Sequence, residues 1–242
     1  MGLTNIQKMP GESNTSYAYR VLKANIMNFN LIPGDIIKKD ELSEVLSISP
    51  TPFREAVLKL REDTLIDVYA QSKSCVSKID CKLAKEGVFV RSLVETRISQ
   101  LLCGNLSEAM LCLLDENLRQ QERVAEGYQI GRSFLEIDNE FHEYLYKFSD
   151  MVWTWEMLQR SCIHLNRIRH FNDLYGSKRM ITLFKAHKDI FEYLKGHKTE
   201  PIKELILRHF TNPIQKGSQE TLFLNILLEQ YPAYFCNVNS LF

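Results

Sequence analysis

The chain has 242 residues with a formal net charge of +0, 45% hydrophobic and 25% charged residues. That balance excludes a protein whose whole surface attracts nucleic acid, so any DNA contact must rest on a few placed cations. No apolar run approaches the roughly 18–20 residues of a membrane span, the first ten residues carry no charged or apolar leader pattern, and six cysteines without a CxxC pair read as reduced thiols; a cytoplasmic, non-membrane protein of two domains is expected.

Residues 1–12 read as a flexible N-terminus. From Ser13 to Asn30 the residues Tyr17, Val21, Leu22 and Ile26 recur at helical spacing, and Pro33-Gly34 fits the centre of a type II turn. Asp35 to Lys39 lead to a second helix with Leu42, Val45 and Leu46 on one face. Ser49 is placed to cap a third helix, which Pro50 opens at its first position and which runs to about Arg61. Phe53, Ala56, Val57 and Leu60 form its inner face, so Arg54 points outward from the first turn, the end that a recognition helix presents to base edges and phosphates. Leu65 to Tyr69 and Ser74 to Ser77, joined by the polar tip Ala70 to Lys73, read as a hairpin. Residues 13–79 are therefore expected to form a winged helix-turn-helix with a small β-hairpin wing, and Ser49, Thr51, Arg54 and Lys73 are its candidate DNA contacts. A small helical domain without DNA function accommodates the same two helices and turn, and Lys73 reads equally well as a solvated loop lysine.

Beyond Lys78-Ile79-Asp80 the apolar period is helical throughout, with helices expected near 81–103, 106–126, 131–149, 152–171, 178–195 and 199–211 and a tail helix near 216–230. The fold class is mainly α: the winged helix followed by an all-α antiparallel helical bundle over 80–213 and a tail over 214–242. Asp138 and His142 stand four residues apart beside the stripe Phe134, Ile137, Phe141, Leu145 and Phe148; His187 continues Phe184, Phe191 and Leu194; His209 continues Ile202, Leu205 and Ile206. A lone histidine on an apolar face is more often a satisfied core residue than a ligand. Aspartate, however, is rarely buried unless paired or coordinating, and imidazoles with one carboxylate suit a divalent metal ion such as Zn, Ni or Mn. His164, with Met157, Ser161, Ile168 and Phe171, reads either as lining that interior or as an ordinary helix-face histidine.

Two resemblances follow from these residues. Pro33-Gly34-Asp35, Glu41-Leu42-Ser43-Glu44, Ser49, Thr51-Pro52-Phe53-Arg54-Glu55-Ala56 and Leu60 resemble the winged-helix signature of GntR-family bacterial transcription factors over about residues 14–80. Asp138-Asn139-Glu140-Phe141-His142, the run from Ala186 to Leu194 and Arg208-His209-Phe210 resemble the FCD effector domain of the FadR-type subfamily over roughly residues 82–212. Pro50 and Lys73 stand where that family usually has an arginine and the wing glycine, so Arg54 alone carries over as a base-contacting residue. The resemblance implies a metal held by Asp138, His142, His187 and His209. Through Val90-Arg91-Ser92-Leu93-Val94-Glu95 it further implies an anion clamp at Arg91, with Glu95 and His164 as further effector-side candidates; a surface Arg91 paired with Glu95 is the alternative. The implied protein is not an enzyme but a ligand-responsive transcriptional regulator of repressor type. It would be a homodimer reading a near-palindromic double-stranded DNA operator and answering to a small organic acid. Two rivals remain: a metal-dependent hydrolase-type enzyme, and a DNA-binding regulator whose metal is purely structural.

Overall fold

The computed structural model describes residues 3–4, 6–69, 73–175, 179–196, 201–211 and 228–240. Helix α1 (Asn14–Met27) begins where the Ser13 side chain accepts a hydrogen bond from the Ser16 amide. Described residues of the segment before it make contacts with the helix. The Thr4 amide donates to Asn25 Oδ1 at 2.9 Å, and Arg20 donates to the Gln7 carbonyl and to both carboxylate oxygens of Glu12. The following turn is closed by the Asp35 amide on the Ile32 carbonyl at 3.0 Å with Gly34 at φ +93°, the type II geometry that favours glycine.

Helix α2 (Lys39–Val45) buries Leu42 and Ser43 and delivers Leu46 to the core, but leaves Val45 62% exposed, contrary to the expected face. The buried arc centres between Leu42, Leu46 and Ser43, which puts Val45 beyond its edge. Helix α3 (Pro50–Glu62) packs along α1 through Phe53, Ala56, Val57 and Leu60. Ser49 occupies the cap position, yet its side chain accepts no capping bond. Strands β1 (Ile66–Val68) and β2 (Ser74–Val76) pair antiparallel with Ile66 opposite Val76, and Tyr69 N–H closes the hairpin on the Lys73 carbonyl.

The second domain starts with α4 (Cys81–Leu102), capped by the Asp80 carboxylate, which accepts from the amides of Lys82 and Leu83. It continues through α5 (Glu108–Ala125), α6 (Phe134–Phe148), α7 (Val152–Ser161), α8 (Ile163–Tyr175), α9 (Arg179–Leu194) and α10 (Ile202–Thr211). Helix α4 runs against α6, α8 and α10, and α5 lies against α6 and α9. The single helix expected over 152–171 is broken at Cys162 (φ −98°, ψ 21°), and the break sends Ile163 into the core of the winged helix. The bundle is also not purely helical. Strand β3 (Ile79–Asp80) pairs parallel with β4 (Phe235–Cys236), and Asn237 Nδ2 donates to Asp80 Oδ2 at 2.8 Å. A strand of two residues is too short to show alternation. The expected tail helix falls almost wholly outside the described residues; residues 228–240 bring Tyr231, Tyr234 and Phe235 onto Phe171, which also meets Phe29 of the first domain. All six cysteines are free thiols.

Candidate metal centre

The register of α6 is set at its start by a reciprocal capping box between Ser133 and Glu136. From there Phe134, Ile137, Phe141 and Leu145 turn inward, carrying Asp138 and His142 on the same face. His187 enters from α9 and His209 from α10, and all four residues are buried with ligand atoms within 4.8 Å of one another. His142 Nε2 lies 3.1 Å from His209 Nε2 and 3.3 Å from His187 Nε2. Asp138 Oδ1 is 3.7 Å from His187 Nε2, and its Oδ2 is 3.9 Å from His142 Nε2.

Whether these residues suit a cation can be tested on the hydrogen bonds around them. His187 Nδ1 is 2.7 Å from Gln121 Oε1, and the Gln121 amide donates its own N–H to Asn117 Oδ1, so the oxygen faces the imidazole. That oxygen only accepts; Nδ1 therefore carries the proton and Nε2 a lone pair. His142 Nδ1 sits 2.7 Å from Glu95 Oε2, off the line of an ideal hydrogen bond but close enough for the carboxylate to favour the same tautomer. Two lone pairs thus face each other across 3.3 Å and repel. A cation between them removes the repulsion, and nitrogens bound to one zinc at about 2.0–2.1 Å stand roughly 3.0–3.4 Å apart. The residues fit the ion.

Burial pushes the pKa of His142 and His209 well below the ordinary imidazole range and that of His187 down to about 4. Burial works the other way on Asp138, but Arg169, His187 and His142 outweigh it and hold the carboxyl at about 2. Neutral imidazoles and an ionised carboxylate are the forms that bind metal.

Arg169 and Gln121 escaped the sequence reading. Arg169 on α8 donates to Asp138 Oδ2, and also to Asn139 Oδ1 at 2.8 Å. Gln121 could have been noticed, because Asn117 and Gln121 interrupt the buried face of α5 one turn apart beside Leu114 and Leu118. Arg91 is 1% exposed, so the surface alternative fails, although its pairing with Glu95 is real: Nε donates to Glu95 Oε1 at 2.6 Å.

His164 does not face this cluster. It bridges the domains, accepting at Nδ1 from the Asp80 amide and meeting Thr64 Oγ1 with Nε2, both at 2.9 Å. Burial, with Arg167 nearby, lowers its pKa to about 4. A folded-state value below the ordinary 6.5 means that the stabilisation is complete above pH 6.5 and is lost as the pH falls from there toward 4, because the unfolded chain binds the proton first. The loss is on the order of 3 kcal/mol. In urea titrations of metal-free protein between pH 7.5 and 4.5, His164→Gln, which keeps one acceptor and one donor, should flatten this part of the profile; an unchanged slope would count against the assignment. Ser49, Thr51 and Arg54 are exposed together at the start of α3, and Lys73 is exposed at the wing, apart from the cluster.

Residues 86–212 match the FCD domain family. The chain is 27% identical over 203 residues to the HTH-type transcriptional repressor RspR of Escherichia coli, covering 84% of this chain and 88% of that one. It is 26% identical over 197 residues to the HTH-type transcriptional regulator YdhC of Bacillus subtilis, covering 80% and 86%. Among solved structures it resembles McbR/YncC of Escherichia coli with a TM-score of 0.68 at 20% identity, over 91% of this chain and 99% of that one. The transcriptional regulator GntR of Rhodococcus sp. RHA1 gives 0.65 at 20% identity, over 88% and 99%.

Proposed function

Because the chain belongs to the FCD-domain class of GntR-family transcriptional regulators, we propose that it is a metal-dependent, acid-responsive repressor that binds DNA as a homodimer. The carrying observation is the convergence of Asp138, His142, His187 and His209 in a chain whose α3 leaves Arg54 exposed at its first turn. These four residues would hold a divalent ion of the Zn, Ni or Mn type, and the ion would supply a Lewis-acidic cation that attracts an oxyanion. Arg91 supports effector binding over a purely structural metal: its Nη1 and Nη2 are buried without a hydrogen-bond partner, which a site built only for an ion does not need. Glu95 accepts from Arg91 and Tyr146 at Oε1 and meets His142 at Oε2, so it orients the clamp and the ligand rather than touching an effector. Against a hydrolase reading, the two carboxylates seen beside the imidazoles among the described residues are both ion-paired, Glu95 with Arg91 and Asp138 with Arg169, and the relatives are regulators.

For a signal to reach DNA, the effector must bind one arrangement of the winged helix more tightly than another. Helix α8 is the element that both sides share, since Arg169 bonds Asp138 while His164 and Arg167 bond the first domain and the linker. The dimer reading is supported by the outer face of α4, where Phe89 is 64% and Leu93 54% exposed, flanked by Val90 and Leu101. No helix among the described residues is long and apolar enough to cross a membrane, and a repressor works in the cytoplasm.

Gel-shift titration against the DNA upstream of its own gene tests the reading. Wild type should retard this fragment at low salt; Arg54→Ala should weaken retention by roughly tenfold or more by removing a base-edge contact worth about 1–3 kcal/mol. Leu93→Asp should sediment as a monomer and lose retention as well. Failure of wild type and Arg54→Ala alike to retard the fragment at low salt would reject the DNA assignment, and equal retention by the two would reject Arg54 as a base contact.

A further inference from the structure

A polar route leaves the cluster through side chains and reaches the first domain by way of α7. Arg169 Nη2 donates to Asp138 Oδ2, and its Nη1 donates to Asn139 Oδ1 at 2.8 Å and to Asn166 Oδ1 at 3.2 Å. Asn166 is itself buried, and its Nδ2 donates to Gln159 Oε1 at 3.1 Å. Gln159 belongs to α7 and Asn166 to α8, so this bond stitches the two helices together across the break at Cys162. The residue after Gln159 is Arg160, whose Nε and Nη2 donate to Asp63 Oδ1 at 3.2 and 3.0 Å. Asp63 is the C-cap of α3; it also accepts from the Tyr19 hydroxyl and lies 3.5 Å from Lys23 Nζ, both on α1. Side-chain bonds, with one covalent step from Gln159 to Arg160, therefore join the candidate ligand Asp138 to the end of the helix that carries Arg54.

There is room for this route to move. A cleft of about 660 Å³ is lined by Tyr19, Lys23 and Lys59 of the first domain and by Trp155, Gln159 and Arg160 of α7, so α7 can change its distance from α1 and α3 without displacing close-packed side chains. We propose that Arg169, Asn166 and Gln159 form a relay of positioning residues that converts occupancy of the metal site into a shift of α7 against the winged helix. This rests on the metal-binding reading above. With a divalent ion on the four ligands, the Asp138 carboxylate is shared by two cations, which repel each other. Arg169 then loosens at Nη2 and leans on Asn139 and Asn166 through Nη1. Asn166 passes the displacement to Gln159, and Arg160, next to it on the same helix, carries it to Asp63. Such contacts couple distant sites only where an element has two arrangements. The break at Cys162, with an open cleft beyond it, gives α7 that freedom.

Both tryptophans of the chain stand on α7, Trp153 73% exposed and Trp155 8% exposed beside the cleft. Full-length Trp153→Phe protein, stripped of metal, is titrated with zinc while bound zinc is measured, and acrylamide quenching of Trp155 reads the opening of the cleft. With zinc bound, the quenching constant should change by about twofold or more. Gln159→Leu in the same background, which cuts the bond to Asn166 without touching Arg169 or a ligand, should bind zinc within about threefold of its parent yet keep less than about a third of the quenching change. Gln159→Glu, which keeps the acceptor for Asn166, should keep most of the change. Gln159 is only half-buried, so neither variant opens a core cavity. Failure to bind zinc would remove the metal site and the relay with it. Zinc binding without a change in quenching would overturn the relay alone, as would Gln159→Glu behaving like Gln159→Leu. So would a change undiminished in Gln159→Leu, which would mean that the ion acts on Trp155 directly through Arg91, 5.6 Å from its ring.

Discussion

Protein carrying His187→Ala and His209→Ala together will be purified without stoichiometric divalent metal, whereas wild type will carry about one ion per chain. Both imidazoles offer Nε2 to the same point, and the two remaining donors, Asp138 and His142, both come from α6. An ion held by one aspartate and one histidine has lost half of its protein ligands, so affinity should fall by at least 100-fold, beyond the 10–100-fold that is typical when an outer-shell partner is removed. Elemental analysis after dialysis, with a chelator competition for the residual affinity, reads this directly. Cavities left by the imidazoles complicate any stability comparison, so Gln121→Leu is the companion variant. It keeps all four ligands but removes the acceptor that fixes the His187 tautomer, and its affinity should fall 10–100-fold with the fold preserved. Unchanged metal content in the double variant would refute the site.

The second large effect concerns stability. Arg167 on α8 is fully buried and donates to the carbonyls of Ser77 and Lys78 and to Ser77 Oγ, with distances of 2.9–3.3 Å. Burial lowers its pKa to about 10, so it is still charged at neutral pH. Arg167→Met should destabilise the chain by about 3–5 kcal/mol, because the linker carbonyls stay buried while their charged donor is gone. Urea denaturation monitored by tryptophan fluorescence measures it. A loss below about 1 kcal/mol would mean that water replaces the guanidinium and that the junction is wetter than its burial implies.

The sequence was most legible where one period dominates. The 3.6-residue repeat located α1, α3 and the bundle helices other than the α7–α8 pair, which it read as one, and the same stripes exposed Asp138, His142, His187 and His209 because each is a polar residue in an apolar row. What it hid depends on partners remote in the chain. His164 bonds Thr64 100 residues away, and no periodicity distinguishes that from a cavity-lining histidine. Arg169 resembles any surface arginine until the break at Cys162 orients α8, and Gln121 matters only through His187, 66 residues further on. Pattern reading finds faces; it does not find what lies opposite them.

The pairing of β3 with β4 also orders events in time. The linker strand Ile79–Asp80 waits for a partner encoded some 156 residues later, Ile79 facing Phe235. As a nascent chain grows, the winged helix can fold on its own core while its tether is still single-stranded. Helix α8 can fasten that tether first, through His164 and Arg167, so the β3–β4 ladder is a late lock, closed only after Phe235 and Cys236 have been made, on an orientation that α8 has already set.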